Sequence, residues 1–191
     1  MDALPDDCHL YVVGGGEDAA QATAARLLAA DGALERAVGR GATVLAVCAG
    51  VQLLGREFTG SDGARHQGLG LLDVESAPLV RRAVGEVVAG PLLAELTQPL
   101  TGFENHGCGT TLGPGARPLA RVRRGVGNGD EAGTEGVVQG RIVGTYLHGP
   151  VLARNPELAD LLLSWVVTGP LSPLRLPVVE QLRARQLGTG G

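Results

Sequence analysis

Apolar and polar positions fall along this 191-residue chain in short alternating blocks that read as strands and helices in turn. Cys8 to Val13 (CHLYVV) is an apolar run ending in Gly14-Gly15-Gly16, and a helical pattern follows from Glu17 to Ala30. Strand, glycine loop and helix in that order make one βα unit, with the loop at the carboxyl edge where open α/β sheets hold ligands. The helix breaks at Asp31-Gly32, resumes from Ala33 to Val38, and leads through Gly41 to a second buried strand, Thr43 to Val47. An apolar helix start follows through Leu53 and Leu54. Two βα units with short crossovers predict neighbouring parallel strands, so the Gly14 loop and the end of the Thr43 strand share one sheet edge.

Further along, Gly60 to Gly68 is polar and glycine-rich and reads as a loop. Leu69 to Val74 and Val84 to Val88 read as strands separated by a connecting stretch that carries Arg81 and Arg82, and Pro91 to Leu96 as a helical turn. Thr101 to Thr111 (TGFENHGCGTT) groups Phe103, Glu104, Asn105 and His106 among glycines. It reads either as a self-bonded turn, in which Glu104 and Asn105 cap backbone amides, or as a segment that shapes a site. Gly113 to Gly133, rich in Gly, Pro and Arg, is expected to be exposed and mobile. Gly136 to Gln139 and Arg141 to Thr145 form a strand pair around Gly140, the second running into Tyr146, Leu147 and His148. Asn155 and Pro156 start the best helix, with Leu158, Leu161, Leu162, Trp165 and Val166 on its apolar face. No internal repeat is visible, and one domain over residues 1–191 is the expectation.

Composition narrows the class. Hydrophobic residues make up 44%, enough for one sizeable core, while aromatics are only 3%, so Leu, Val and Ala must build it. All sixteen basic residues are arginine, a signature of a GC-rich genome. The net charge of −4 argues against a nucleic-acid surface, and Arg121, Arg123 and Arg124 read as a solvated strand face or loop. Three scattered cysteines make neither a disulfide framework nor a zinc pattern, and no metal is expected. With no signal peptide and no membrane-spanning run, a cytoplasmic location is expected.

The candidate chemistry centres on TVLAVCAGVQLLG, Thr43 to Gly55. A strand, a cysteine, two small residues and a helix start form a nucleophile-elbow layout: a sharp turn lifts Cys48 above the sheet, and Ala46, Ala49 and Gly50 keep the turn free of bulk. A helix N-terminus favours a thiolate, and its amides can hold an oxyanion. Gly15 in the first loop and Ala49 after the cysteine are the candidate donors. On this stretch alone a buried structural cysteine is the commoner outcome. His148, at a strand end and released by Gly149, is placed as a base for Cys48. Of the other histidines, His9 falls in a strand run, His66 in a polar loop and His106 in the glycine-rich turn, each read as structural or exposed. Arg81 and Arg82 read as solvated, although a guanidinium beyond the elbow also suits the carboxylate of a free amino acid.

The segments VVGGGEDAAQ, VLAVCAGVQLLG, GLGLLDVES, GFENHGCGT and VGTYLHGPVLARNPELADLLL together resemble the class I glutamine amidotransferase family. They are most similar to its branch of lipid II isoglutaminyl synthase glutaminase subunits, related to the cobyric acid synthase glutaminases. The resemblance implies a flavodoxin-like α/β fold, a layered sheet with helices on both faces. The fold is expected to lack the strand, helix and further strand with which members usually begin, a layer whose absence would uncover apolar surface. It also implies that Cys48 attacks the side-chain amide of L-glutamine with His148 as general base and then acid, that Arg82 grips the substrate, and that Gln52 lies near that site. Ammonia would pass to a Mur-ligase-like partner that uses ATP and magnesium to amidate D-glutamate in lipid II, this chain itself needing no cofactor. The acceptor is lipid-linked, but no membrane insertion is implied.

The sequence departs from the family pattern in places. Pro150 stands where most class I members carry the carboxylate that orients the histidine, which leaves a Cys–His dyad, or Glu104 or Asp18 in that role. Cys108 stands where the family usually has glycine, and Ala49 and Val51 replace the commoner Gly and Tyr. Two rival expectations are the glutaminase of a corrinoid amidation system and a non-catalytic binding subunit that keeps the fold.

Overall fold

A computed structural model of the chain describes residues 4–16, 18–60, 63–172 and 176–188. The expected first helical residue, Glu17, and the side chain of Asp18 lie outside what is described.

Two βα units open the chain: β1 (Leu10–Val13) leads to α1 (Asp18–Asp31) and α2 (Ala33–Gly39), and β2 (Thr43–Val47) leads to α3 (Ala49–Leu54). Gly32, at φ 63°, makes the break between α1 and α2, a left-handed position that side chains resist. β1 and β2 pair in parallel from Leu10↔Thr43 to Val13↔Ala46, as short crossovers require. β3 (Glu57–Thr59) and β4 (Arg65–Gln67) form an antiparallel pair, with His66 stacked on Phe58, so the expected loop from Gly60 to Gly68 is partly a hairpin.

The longest elements are β5 (Val74–Pro91) and β6 (Leu100–Leu112), an antiparallel ribbon. Their register slips between Pro78 and Ala83, and Val80, Arg81 and Arg82 ride on that bulge rather than on a connector between two strands. Of the expected strand from Leu69 to Val74, only Val74 pairs. The expected turn from Thr101 to Thr111 is the body of β6. Its glycines serve packing: a Cβ on Gly102 would stand 2.7 Å from that of Leu147, and one on Gly109 would stand 2.8 Å from the Asn128 carbonyl oxygen.

β7 (Ala120–Arg124), β8 (Thr134–Glu135), β9 (Val137–Gln139), β10 (Ile142–Thr145), α4 (Val151–Arg154), α5 (Pro156–Ser164) and α6 (Pro177–Leu187) complete the chain. β7 lies inside the stretch expected to be exposed, and there Asn128 is fully buried, donating to Thr134 and Gly136 and accepting from the Gly136 amide. The strand arginines of β7 are solvent-facing, as expected. Trp165 and Val166 fall just beyond α5.

One sheet runs β1-β2-β10-β9, with β10 parallel to β2 and antiparallel to β9; the other runs β4-β3-β5-β7-β8, with β6 on the opposite side of β5. Successive residues of β2 feed different cores, as a strand's alternation demands. Val44 and Ala46 join Leu34, Val51, Leu54 and Ile142 under α1 to α3, whereas Leu45 joins Val87, Leu119, Val143, Leu158 and Leu162 between the sheets and α5. Both faces of the parallel sheet are therefore covered, which explains its near-continuous apolar strands.

Candidate active site

Cys48 sits between β2 and α3 with φ 55° and ψ −114°, and among the described residues no other non-glycine has a positive φ. Such a conformation costs of order 1–3 kcal/mol and persists only where the surroundings enforce it. Here they do: the Cys48 amide donates to the Thr145 carbonyl at 2.9 Å, and its own carbonyl accepts from Val51 at 2.9 Å. Gly50 is forced by β1, because a Cβ there would lie 2.3 Å from the Val13 carbonyl oxygen. The glycine loop closes from above. A Cβ on Gly15 would stand 3.3 Å from that of Cys48 and 3.7 Å from its Sγ, so the Gly15 backbone lies against the sulfur. Since α3 is only six residues long, its macrodipole is small, and local amides rather than the helix as a whole must act on the cysteine.

His148 follows the strand next to β2. Thr145 of β10 pairs with Val47, which sets Cys48 and His148 on the carboxyl edge of two adjacent parallel strands. The Phe103 carbonyl, on β6, accepts from the His148 backbone amide at 2.7 Å and lies 3.2 Å from ring Nδ1. A carbonyl only accepts, so Nδ1 carries the proton and Nε2 is left as the basic nitrogen. A backbone carbonyl thus holds the ring, where the sequence left open a Cys–His dyad, Glu104 or Asp18; the side chain of Asp18 lies outside the described residues. Such a carbonyl carries no sequence signal.

Glu104 is committed elsewhere. Its two oxygens accept from the Val126 and Gly127 amides, both at 2.8 Å, which is the amide-capping role foreseen for it, though across strands rather than within a turn. Asn105 caps no amide: its Oδ1 accepts from Nε of Arg82 at 2.8 Å. His106, expected to be structural or exposed, is 2% exposed, stacked on Tyr146 with ring centroids 4.0 Å apart, and its Nδ1 donates to the Cys108 carbonyl at 2.7 Å. Burial holds it below the ordinary histidine range, against the pull of the Cys108 carbonyl and of Glu104, whose Oε2 is 3.5 Å from Nε2.

Gln52 lies beneath the elbow, 5% exposed, where its Oε1 accepts from Gln21 at 2.8 Å and its side chain bonds Tyr146. Tyr146 continues to Thr110 at 2.7 Å, and Thr110 to Ser76 at 2.8 Å. Burial raises the Tyr146 phenol well above its usual value, so it stays protonated and can donate. Glu135, also unforeseen, is wholly buried: Oε1 accepts from Thr145 Oγ1 and the Tyr146 amide, and burial pushes its carboxyl up to about 7. Among the described residues no group of three or more His, Cys, Asp or Glu is disposed to hold a metal, and no helix is long and apolar enough to cross a membrane.

A strained cysteine at a strand–helix elbow, with a histidine held at the end of the adjacent parallel strand, is the layout of an α/β enzyme using a thiol nucleophile. Residues 1–156 match the CobB/CobQ-like glutamine amidotransferase domain, and the chain belongs to that family. It is 34% identical over 186 residues to the lipid II isoglutaminyl synthase (glutamine-hydrolyzing) subunit GatD of Staphylococcus aureus, spanning 95% of this chain and 74% of that one. The corresponding subunit of Streptococcus pneumoniae is 31% identical over 187 residues, 95% and 71% of the two chains. A cobyric acid synthase of Pelotomaculum thermopropionicum is 41% identical over 147 residues, 70% of this chain but 27% of that protein. Among solved structures, one glutamine amidotransferase superposes with TM-score 0.59 at 21% identity, covering 83% of this chain and 79% of that one. Another, from Thermotoga maritima, superposes with TM-score 0.55 at 19% identity, covering 100% and 77%; these two likenesses establish the fold alone.

Proposed function

We propose that this chain is the glutaminase subunit of a lipid II isoglutaminyl synthase, acting as one domain over residues 1–191. The observation that carries the chemistry is the pairing of the strained Cys48, backed by the Gly15 loop, with a His148 whose Nδ1 is tied to Phe103. In this reading Cys48 Sγ attacks the Cδ carbon of L-glutamine, and the backbone amides of Gly15 and Ala49 hold the oxyanion. His148 Nε2 takes the thiol proton and delivers it to the departing nitrogen, so the C–N bond breaks, ammonia leaves and a thioester remains. Water then attacks the thioester, His148 takes its proton and returns it to the sulfur, and glutamate is released. Arg82 binds the α-carboxylate of the substrate. Gln52, held between Gln21 and Tyr146, supports the elbow from below.

The ammonia goes to a Mur-ligase-like synthetase partner, which supplies the ATP and magnesium sites and amidates D-glutamate in the peptidoglycan precursor. The reading sets the pair in the cytoplasm. Its support over the corrinoid alternative is extent: the GatD relatives align over 95% of this chain, the cobyric acid synthases over 70% to 77%. The 41% identity to one such synthase keeps corrinoid amidation as the second reading, distinguished by which acceptor gains nitrogen.

The test is ammonia release from L-glutamine by the full chain, alone and with the synthetase partner. Release that disappears in Cys48→Ala, in a variant with wild-type circular dichroism, is the expected result. Undiminished release from that variant refutes the mechanism.

A further inference from the structure

We infer that Asn105 is a positioning residue for substrate recognition, fixing the Arg82 guanidinium on the side of β6 where His148 is held. The inference rests on the glutaminase reading above and adds to it a residue and a geometric device. The device is β6, which holds the base at one point and the guanidinium at another.

Arg82 rides on the β5 bulge and its side chain is exposed, so the backbone alone does not fix where its guanidinium points. Asn105 does so. Its Oδ1 accepts from Nε at 2.8 Å, its backbone carbonyl receives a long contact of 3.5 Å from Nη2, and Nη1 lies over Gly107, where an added Cβ would stand 3.9 Å away. Anchoring Nε to the asparagine leaves the two terminal nitrogens as the donors that reach a carboxylate.

Phe103, two residues earlier on the same strand, holds His148 through its carbonyl. In a strand, carbonyls two residues apart point to the same edge. The Asn105 carbonyl under Nη2 therefore faces the edge on which His148 is bound, and Arg82 curls over β6 to that side. The two anchor points are separated by two residues of strand rise, about 7 Å. Glutamine spans four bonds, about 5 Å, from its amide carbon to its carboxylate carbon, so its two ends can lie toward the two anchor points.

Asn105 supplies neutral rather than charged anchoring, and this matters. A carboxylate at this position would accept from Nε equally well but would compete with the substrate for the cation. Asn105→Ala and Asn105→Asp therefore have different expected signatures: the first frees the guanidinium, the second neutralises it.

The experiment uses the full chain with its synthetase partner and two cysteine-directed reagents, read by mass spectrometry at Cys48. The diazoketone analogue of glutamine carries the α-carboxylate; iodoacetamide does not. Asn105→Ala is expected to slow labelling by the analogue about tenfold, the scale of one lost hydrogen bond to a charged group. Asn105→Asp is expected to slow it further, and in an Arg82→Ala background Asn105→Ala should add nothing. Labelling by iodoacetamide should follow the wild type in each case, and the KM for glutamine should rise while kcat changes little. Equal slowing with both reagents would assign Asn105 to the fold alone and overturn the inference, as would a full additional effect in the Arg82→Ala background. Wild-type Cys48 that shows no preference for the glutamine analogue would overturn both the inference and the glutaminase reading beneath it.

Discussion

Glu135→Gln isolates the energetic consequence of the buried carboxyl behind the site. Glu135 is completely enclosed, and its carboxyl is pushed up to about 7, mainly by burial and further by the neighbouring Glu104, against the bonds from Thr145 and the Tyr146 amide. An unfolded chain holds the same group near 4.5. A raised carboxyl value means the folded state keeps its proton longer than the unfolded state does. The stability this group contributes is therefore complete below about 4.5 and is lost as pH rises through about 7. At 1.36 kcal/mol per unit the loss is ~3 kcal/mol across that window. Glutamine keeps a carbonyl to accept from Thr145 and Tyr146 but has nothing to ionise. Urea unfolding of both proteins from roughly pH 4 to pH 8, which brackets that window, should show the variant gaining on the wild type by ~3 kcal/mol as pH rises, with equal m-values. His106 and the other titrating groups are common to both chains and cancel in the difference. Two stability curves that stay parallel across the range would refute a carboxyl held protonated by burial.

Three further outcomes follow from other contacts. Gly50→Ala drives a methyl to 2.3 Å from the Val13 carbonyl oxygen, where only movement of β1 relieves it, and should cost about 3 kcal/mol or more, read as a collapsed urea midpoint or insoluble expression. Asn155→Ala removes three 2.8 Å hydrogen bonds that tie Thr101 and Val151 together and one to Arg183 of α6; the buried groups left behind should cost about 3 kcal/mol in the same assay, and α6 should become the first segment cut by trypsin. His148→Asn should lower kcat for ammonia release by about 100-fold or more while the chain unfolds at the wild-type urea concentration, since the ring contributes one half-buried contact to Phe103 and its chemistry resides in Nε2.

The elbow was legible because its rules are local. A buried strand, a cysteine and small residues at fixed offsets specify a sharp turn whatever the rest of the chain does, and Cys48, Gly50 and the Gly15 loop stand as that pattern requires. His148 was legible for a similar reason, as a strand-end residue with a glycine behind it. The ribbon of β5 and β6 was not, and β6 shows why. Its buried positions include Thr101 on one face and Glu104, His106 and Thr110 on the other, while Asn105 is exposed, so the apolar alternation by which a strand is recognised is absent and the glycines read as turn residues. The roles of Phe103 and Asn105 depend on cross-strand register, and in the case of Phe103 on a carbonyl that every residue has. No inspection of side-chain types along the chain could reveal them.

The inverted polarity of β6 has a physical purpose in the site. The two sheets meet over apolar residues that would tolerate small sliding motions, because burial is nearly insensitive to direction. Hydrogen bonds are not. The run from Gln21 through Gln52, Tyr146 and Thr110 to Ser76 crosses from α1 through the elbow helix to β5, and every step spans elements remote in sequence. Breaking any link leaves a buried polar group unsatisfied at about 1–3 kcal/mol, so a displacement of one sheet against the other is opposed at several points together. Cys48 and His148 belong to the first sheet and Arg82 to the second. The polar seam, to which β6 contributes Thr110, is what holds the Cys48 sulfur and the guanidinium in one register.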